Sequence, residues 1–145
     1  MNDQLFFTMQ LKVATELLYG NLQLAYPEGT KIDYLATSGC RQWQQPEDQS
    51  AVARGPIPAG HYQIPTTPYW VETRGVEGWF FHITPDPVIV NGVTRGEFGI
   101  HFDANVPGSA GCIVLRNFSG WRRFCERMEA IAKCGIKSIL LEVRY

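Results

Sequence analysis

Apolar and polar positions alternate with a period of two in the N-terminal third of the chain, the pattern of half-buried strands. Met9, Leu11 and Val13 alternate with Thr8, Gln10 and Lys12, which predicts a first strand there. Leu17-Leu18-Tyr19 and Leu22-Gln23-Leu24 flank Gly20-Asn21. Two residues of that type between apolar runs predict a tight hairpin turn. Pro27-Glu28-Gly29 predicts another turn, followed by a strand over 32–37. Residues 38–55 are polar, rich in Gln and without periodicity, which reads either as part of a lid or as a solvated loop. Pro56-Ile57-Pro58-Ala59-Gly60 then punctuates the chain ahead of a strand over 61–64. Further strands are predicted over 79–84 and 88–90, divided by Pro85-Asp86-Pro87.

One segment changes period. Over 118–133, Trp121, Phe124, Cys125, Met128, Ile131 and Ala132 recur at spacings of three and four, one apolar face of a helix. Asn117 or Ser119 can cap its start, and Gly135 stands where a glycine ends a helix. After it, Ile139, Leu141 and Val143 alternate inward in a terminal strand over 137–145. The expectation is a single mainly-β domain over 1–145 with one substantial α-helix. Trp70, Trp79 and Trp121 are expected in its core.

Composition narrows the function classes. A chain of 145 residues, 45% hydrophobic and 19% charged, suits one globular core. A net charge of −1 supplies no pull toward nucleic acid or an anionic membrane. Arg122, Arg123 and Arg127 read as the solvated face of the helix. No apolar run reaches the roughly 20 residues that span a bilayer. The N-terminal residues lack the basic and apolar regions of an export signal. Cys40, Cys112, Cys125 and Cys134 form no CxxC pair and read as free thiols rather than a zinc site. His61, His82 and His101 show no metal-ligand spacing, so neither a metal nor a cofactor is expected; His61 and His82 read as strand-face residues.

The candidate chemistry lies in Gly99-Ile100-His101-Phe102 and Ser109-Ala110-Gly111-Cys112-Ile113, with seven residues between His101 and Ser109. A thiolate is a strong nucleophile, and a nearby imidazole is a common way to generate it. His101 sits on an extended run over 98–102, and Pro107-Gly108 lets the spacer fold back toward it. Gly111 permits a backbone conformation closed to other residues, and the amides of Gly111 and Cys112 are candidate oxyanion donors.

Three ordered segments carry a family resemblance. Gly55-Pro56-Ile57-Pro58-Ala59-Gly60-His61-Tyr62-Gln63-Ile64 resembles the TPxGxYxI segment of L,D-transpeptidase (YkuD-type) catalytic domains. Arg95-Gly96-Glu97-Phe98-Gly99-Ile100-His101 resembles the strand that delivers their histidine, and residues 109–113 resemble their S-x-G-C-[IV] nucleophile motif. The likeness spans about 17–131. Phe102 stands where that family has Gly, Val114 where it has Arg, and the spacer is shorter. These features resemble a compact branch that includes interbacterial peptidoglycan-modifying toxins.

The resemblance implies an L,D-transpeptidase-like β-sandwich with the helix after the nucleophile loop. It implies that Cys112 attacks the third residue of a peptidoglycan stem peptide and releases D-alanine through a thioester, with His101 as base. A second stem then gives a 3→3 cross-link, or water gives carboxypeptidase activity; the sequence leaves both open. It also implies that the carbonyl after the histidine, here Phe102, orients the ring, while Asp103 competes for that role. Arg95 is either a substrate-carboxylate ligand or a surface turn residue. Arg116 is a second candidate ligand, and Ser109 either contacts substrate or shapes the loop by hydrogen bonding. Two other readings stand beside this one. One is a non-catalytic peptidoglycan-binding module of the same fold. The other is an NlpC/P60-like peptidase using Cys40. An enzyme of the leading kind, made without a visible signal, is expected to act in the periplasm or cell wall after delivery by a secretion machine, with an immunity protein as a further partner.

Overall fold

The computed structural model describes residues 2–74, 76–104 and 107–145. The strands are β1 (Gln4–Thr8), β2 (Gly20–Ala25), β3 (Lys31–Ser38), β4 (Gly60–Pro65), β5 (Tyr69–Val71), β6 (Gly78–His82), β7 (Val88–Val90), β8 (Val93–Arg95), β9 (Gly99–Phe102), β10 (Ile113–Leu115) and β11 (Ser138–Arg144). The helix α1 spans Phe118–Lys133, the range its periodicity predicts. Asn117 is the cap, accepting from the Gly120 amide, and Gly135 follows with φ +90. A 3-10 turn at Pro46–Ser50 interrupts the polar connection.

Nine strands form one sheet in the order β4-β11-β1-β2-β3-β10-β9-β6-β5, and β7 pairs with β8. The sheet curls until Gln63 of β4 meets Thr84 just beyond β6, with Gln63 N–H donating to Thr84 at 2.7 Å and Thr84 N–H donating back at 3.0 Å. The fold is thus mainly β, and the layers that face each other are two halves of this single curled sheet. Inside lie Leu5, Phe7, Leu22, Leu24, Ile64 and Phe81. The helix adds Phe124, edge-on to both Tyr34 and Phe81.

The N-terminal expectations need correction. The first strand lies upstream of Met9, because Leu5 and Phe7 fill the core and the ladder ends at Thr8, opposite Asn21 and Arg144. Alternation continues past that point outside the ladder: Lys12 N–H donates to the Gln44 carbonyl at 2.9 Å, and Val13 is 80% exposed. Gly20-Asn21 is no turn but the start of β2. A Cβ on Gly20 would sit 2.2 Å from the Thr8 carbonyl oxygen, so the glycine serves close strand approach. Trp70 and Trp79 are not core. They form an exposed cross-strand pair on β5 and β6, and only Trp121 is buried.

Two registers place the site. β9 and β10 run parallel, with Ile113 beside Ile100 and Val114 beside His101. The chain must therefore travel back along β9 before β10 begins, and Cys112 arrives next to Gly99. Because side chains alternate faces along a strand, Ile100, Ile113 and Leu115 turn to the core, while His101, Cys112 and Val114 share the other face. Part of this return lies at Asn105 and Val106, outside the described residues.

Candidate active site

His101 is 4% exposed on a strand paired on both sides. Its Nδ1 lies 2.9 Å from the Phe102 carbonyl oxygen. A carbonyl only accepts, so Nδ1 carries the proton and Nε2 keeps a bare lone pair. That Nε2 is buried with no hydrogen-bond partner. The Phe80 ring stacks on the imidazole at 5.6 Å and 20°. Gly99 makes room for it, since a Cβ there would fall 2.0 Å from Phe80 Cζ. Of the two candidate orienters, the Phe102 carbonyl makes the contact. The Asp103 carboxylate instead accepts from the Gly108 amide at 3.0 Å.

Burial pushes the His101 pKa below its usual 6.5, only partly offset by the Phe102 hydrogen bond and the Asp103 charge. Between the depressed folded value and 6.5 the unfolded chain binds more protons, so stability falls as pH drops through that window. Thermal melts from about pH 7 to about pH 5 should show a falling Tm, with a shallower fall in His101→Gln. Equal slopes in the two proteins would remove His101 as the cause.

The Cys112 thiol is also buried, and burial raises its pKa to about 11, against a backbone hydrogen bond at Gly99. It packs with Phe80 and Val114, and donates to the Glu97 carbonyl at 3.7 Å. The resting pair is therefore a neutral thiol and a neutral imidazole, not the preformed thiolate that the His/Cys pattern suggests. A thiol in this state can act as a nucleophile only if its proton leaves at the same time.

The loop before Cys112 is held by residues from β3 and its continuation. Ser109 N–H donates to the Gly39 carbonyl at 2.9 Å, and Gly39 N–H donates to Ser109 Oγ at 3.1 Å. The Ser38 hydroxyl donates to the Gly111 carbonyl at 3.1 Å, and the Cys40 thiol donates to the Ser109 carbonyl at 3.2 Å. Ser109 Oγ donates to the Cys112 carbonyl, so this hydroxyl shapes the loop. Gly111 has φ +137, and a Cβ there would lie 2.7 Å from an Arg95 nitrogen. Its amide donates to Ser109 Oγ at 3.2 Å, which corrects its expected role as an oxyanion donor: the turn itself uses that N–H.

Arg95 is 2% exposed on β8, so it is no surface turn residue. Its Nη1 donates to the carbonyls of Gln49 and Pro56, and its Nη2 to those of Gly55 and Ala110. Arg116 is exposed and faces Asp103 through charge; it does not line the cleft that holds His101 and Cys112. Cys40 follows a strand, and no α-helix begins at it, as a papain-like nucleophile requires. His61 is on β4 beside Glu142, and His82 on β6 beside Asp86.

The cleft occupies about 1080 Å³. Besides His101 and Cys112 it is lined by the apolar Tyr69, Val71 and Phe80 and by the charged Arg74, Asp86 and Glu97. Cys40, Val52 and Ala53 also line it, so the polar connection contributes one wall. Phe80 carried no sequence signal, and Asp86 and Glu97 stood out only as parts of Pro85-Asp86-Pro87 and of the run that leads to His101. Among the described residues no three His, Cys, Asp or Glu gather as a metal site, and all four cysteines are free. Among the described residues no helix is long and apolar enough to cross a membrane.

Comparison with known families decides the relationship. The model of the Tlde1 domain matches residues 33–138, most of the chain and every residue of the site just described. The chain belongs to the Tlde1 domain family. Tlde1 domains are bacterial effectors related to peptidoglycan-targeting toxins. No curated protein and no solved structure matches this chain. The Tlde1 match begins within β3 and ends at the first residue of β11, leaving out β1 and β2, which lie between those two strands in the sheet.

Proposed function

We propose that this Tlde1 domain is a cysteine-dependent acyltransferase acting on peptidoglycan stem peptides, of the L,D-transpeptidase or L,D-carboxypeptidase kind. One observation carries the reading: His101 presents a bare, unpartnered Nε2 on the same sheet face and in the same cleft as Cys112. Phe102 holds the tautomer and Phe80 the ring plane, so the base is pre-set.

In the first half-reaction the Cys112 sulfur attacks the carbonyl carbon of the third stem residue, and its proton passes to His101 Nε2. The tetrahedral adduct then collapses. The C–N bond breaks, and the imidazolium returns the proton to the departing D-alanine amine. A thioester remains. In the second half-reaction an amine of another stem attacks and gives a 3→3 cross-link, or water attacks and gives a shortened stem. The Cys112 amide is the remaining candidate for the oxyanion. Four of the five Arg95 N–H groups are engaged by protein carbonyls, so Arg74, the cleft's exposed arginine, is the better partner for a substrate carboxylate. The effector family supports delivery by a secretion machine and neutralisation by an immunity protein in the producing cell.

Mass spectrometry of purified cell wall, digested after incubation with the protein, tests the reaction. Tripeptide stems or 3→3 dimers are expected. An unchanged profile would leave a binding module of the same fold instead.

A further inference from the structure

We infer that Asp86 is a positioning residue for the Cys112 thiol, acting through the main chain of Glu97; this rests on Cys112 being the nucleophile. Glu97 lies between β8 and β9 with φ +60, a left-handed conformation that a glutamate rarely adopts unaided. Its N–H donates to Asp86 Oδ1 at 3.0 Å. The other carboxylate oxygen lies 3.3 Å from His82 Nε2. One carboxylate thus ties β6 to the Glu97 turn. The approach is close: a Cβ on Gly96 would fall 2.3 Å from Asp86 Oδ1. On the far side of the same residue, the Glu97 carbonyl accepts from the Cys112 thiol at 3.7 Å.

The geometry has a direct consequence for the sulfur. A thiol is a weak donor, so its position depends on a fixed acceptor and on packing. Packing comes from Phe80 and Val114, and the acceptor is a carbonyl whose direction follows the Glu97 φ and ψ. If the amide of Glu97 loses Asp86, the left-handed turn relaxes and the carbonyl swings away. The sulfur is then less well aimed at a bound carbonyl carbon. Misplacement on that scale lowers turnover by roughly 10- to 100-fold while substrate contacts elsewhere remain.

The test compares wild type, Asp86→Ala, Asp86→Asn and Gly96→Ala. It reads stem-peptide kinetics and iodoacetamide labelling mapped to individual cysteines. Asp86→Ala is expected to lower kcat about 10- to 100-fold with KM within about threefold. Labelling of Cys112 should quicken several-fold, while that of Cys125 on α1 should not change, which separates local release from unfolding. Asp86→Asn keeps an oxygen for the Glu97 amide and should restore both readouts. Gly96→Ala attacks the same contact from the other side and should match Asp86→Ala. Wild-type kcat and wild-type Cys112 labelling in both alanine variants would overturn the inference. If wild type itself leaves stem peptides unchanged, the acyl-transfer reading fails, and the labelling alone decides the role of Asp86.

Discussion

Cys112→Ala is expected to abolish stem-peptide conversion, by at least about 10³-fold, with the fold retained. The thiol sits just ahead of β10, which is paired on both sides, and its removal deletes a single heavy atom from a small cluster with Phe80 and Val114. A truncation of that size costs about 1 kcal/mol of stability, too little to unfold a domain of this size. Loss of activity with an unshifted circular dichroism spectrum therefore reports on chemistry. His101→Ala should lower the rate by about 10²- to 10⁴-fold, because the thiol, raised to a pKa of about 11 by burial, loses the base proposed to take its proton. Acylation of wild type should also be visible as a mass increase on the peptide that carries Cys112. Turnover that survives Cys112→Ala would end the nucleophile assignment.

The largest stability effect is expected at Arg95. Its guanidinium is 2% exposed and binds four carbonyls drawn from three segments: the 3-10 turn at Gln49, the stretch at Gly55 and Pro56, and the nucleophile loop at Ala110. The charge also lies over the Phe98 ring, 5.3 Å from its centroid. Replacing it by alanine leaves the buried Gly55 and Pro56 carbonyls without this donor, frees those of Gln49 and Ala110, and opens a cavity behind Gly111. A hydrogen bond from a charged group contributes about 1.5–3 kcal/mol, and an unsatisfied buried carbonyl costs about as much again. A loss of at least ~3 kcal/mol follows, or a Tm lowered by roughly 10 °C. Arg95→Lys should recover little of this, since an ammonium has three donors and no planar fork. Urea unfolding of both variants measures the effect. Wild-type stability in Arg95→Lys would show that the fork is not what holds the loop.

These two residues show how differently parts of one site can be read from sequence. Cys112 and His101 could be proposed from sequence because a nucleophile and a base must be particular residue types on a strand and a glycine-bearing turn, and such turns leave short local motifs. Arg95 was not legible. Whether an arginine reaches for substrate or for its own backbone depends on which carbonyls the fold gathers around it, and those come from residues 49, 55, 56 and 110. Cys40 misleads for the same reason. Ser38-Gly39-Cys40 has the look of a second nucleophile, yet the β3–β10 register lays it along the loop before Cys112 as its support. Phe80 belongs to this class too, because its stacking on His101 requires the gap left by Gly99.

The fold divides along the same line. What nearest neighbours along the chain control is readable from their order: the span of α1, the turn at Pro27-Glu28-Gly29, the terminal strand, and histidine before cysteine; the structure chose Asn117 over Ser119 as the cap. Tertiary structure decided whatever depends on partners distant in sequence. It ended β1 at Thr8, where paired strands run out, and turned Gly20 from a presumed bend into a close crossing. It left Trp70 and Trp79 outside the core, and laid Cys112 beside Gly99 through a parallel register. Periodicity reports which face of an element is apolar. Only the packed sheet determines which strands lie against that face, and therefore that the thiol, the imidazole and Glu97 line one cleft.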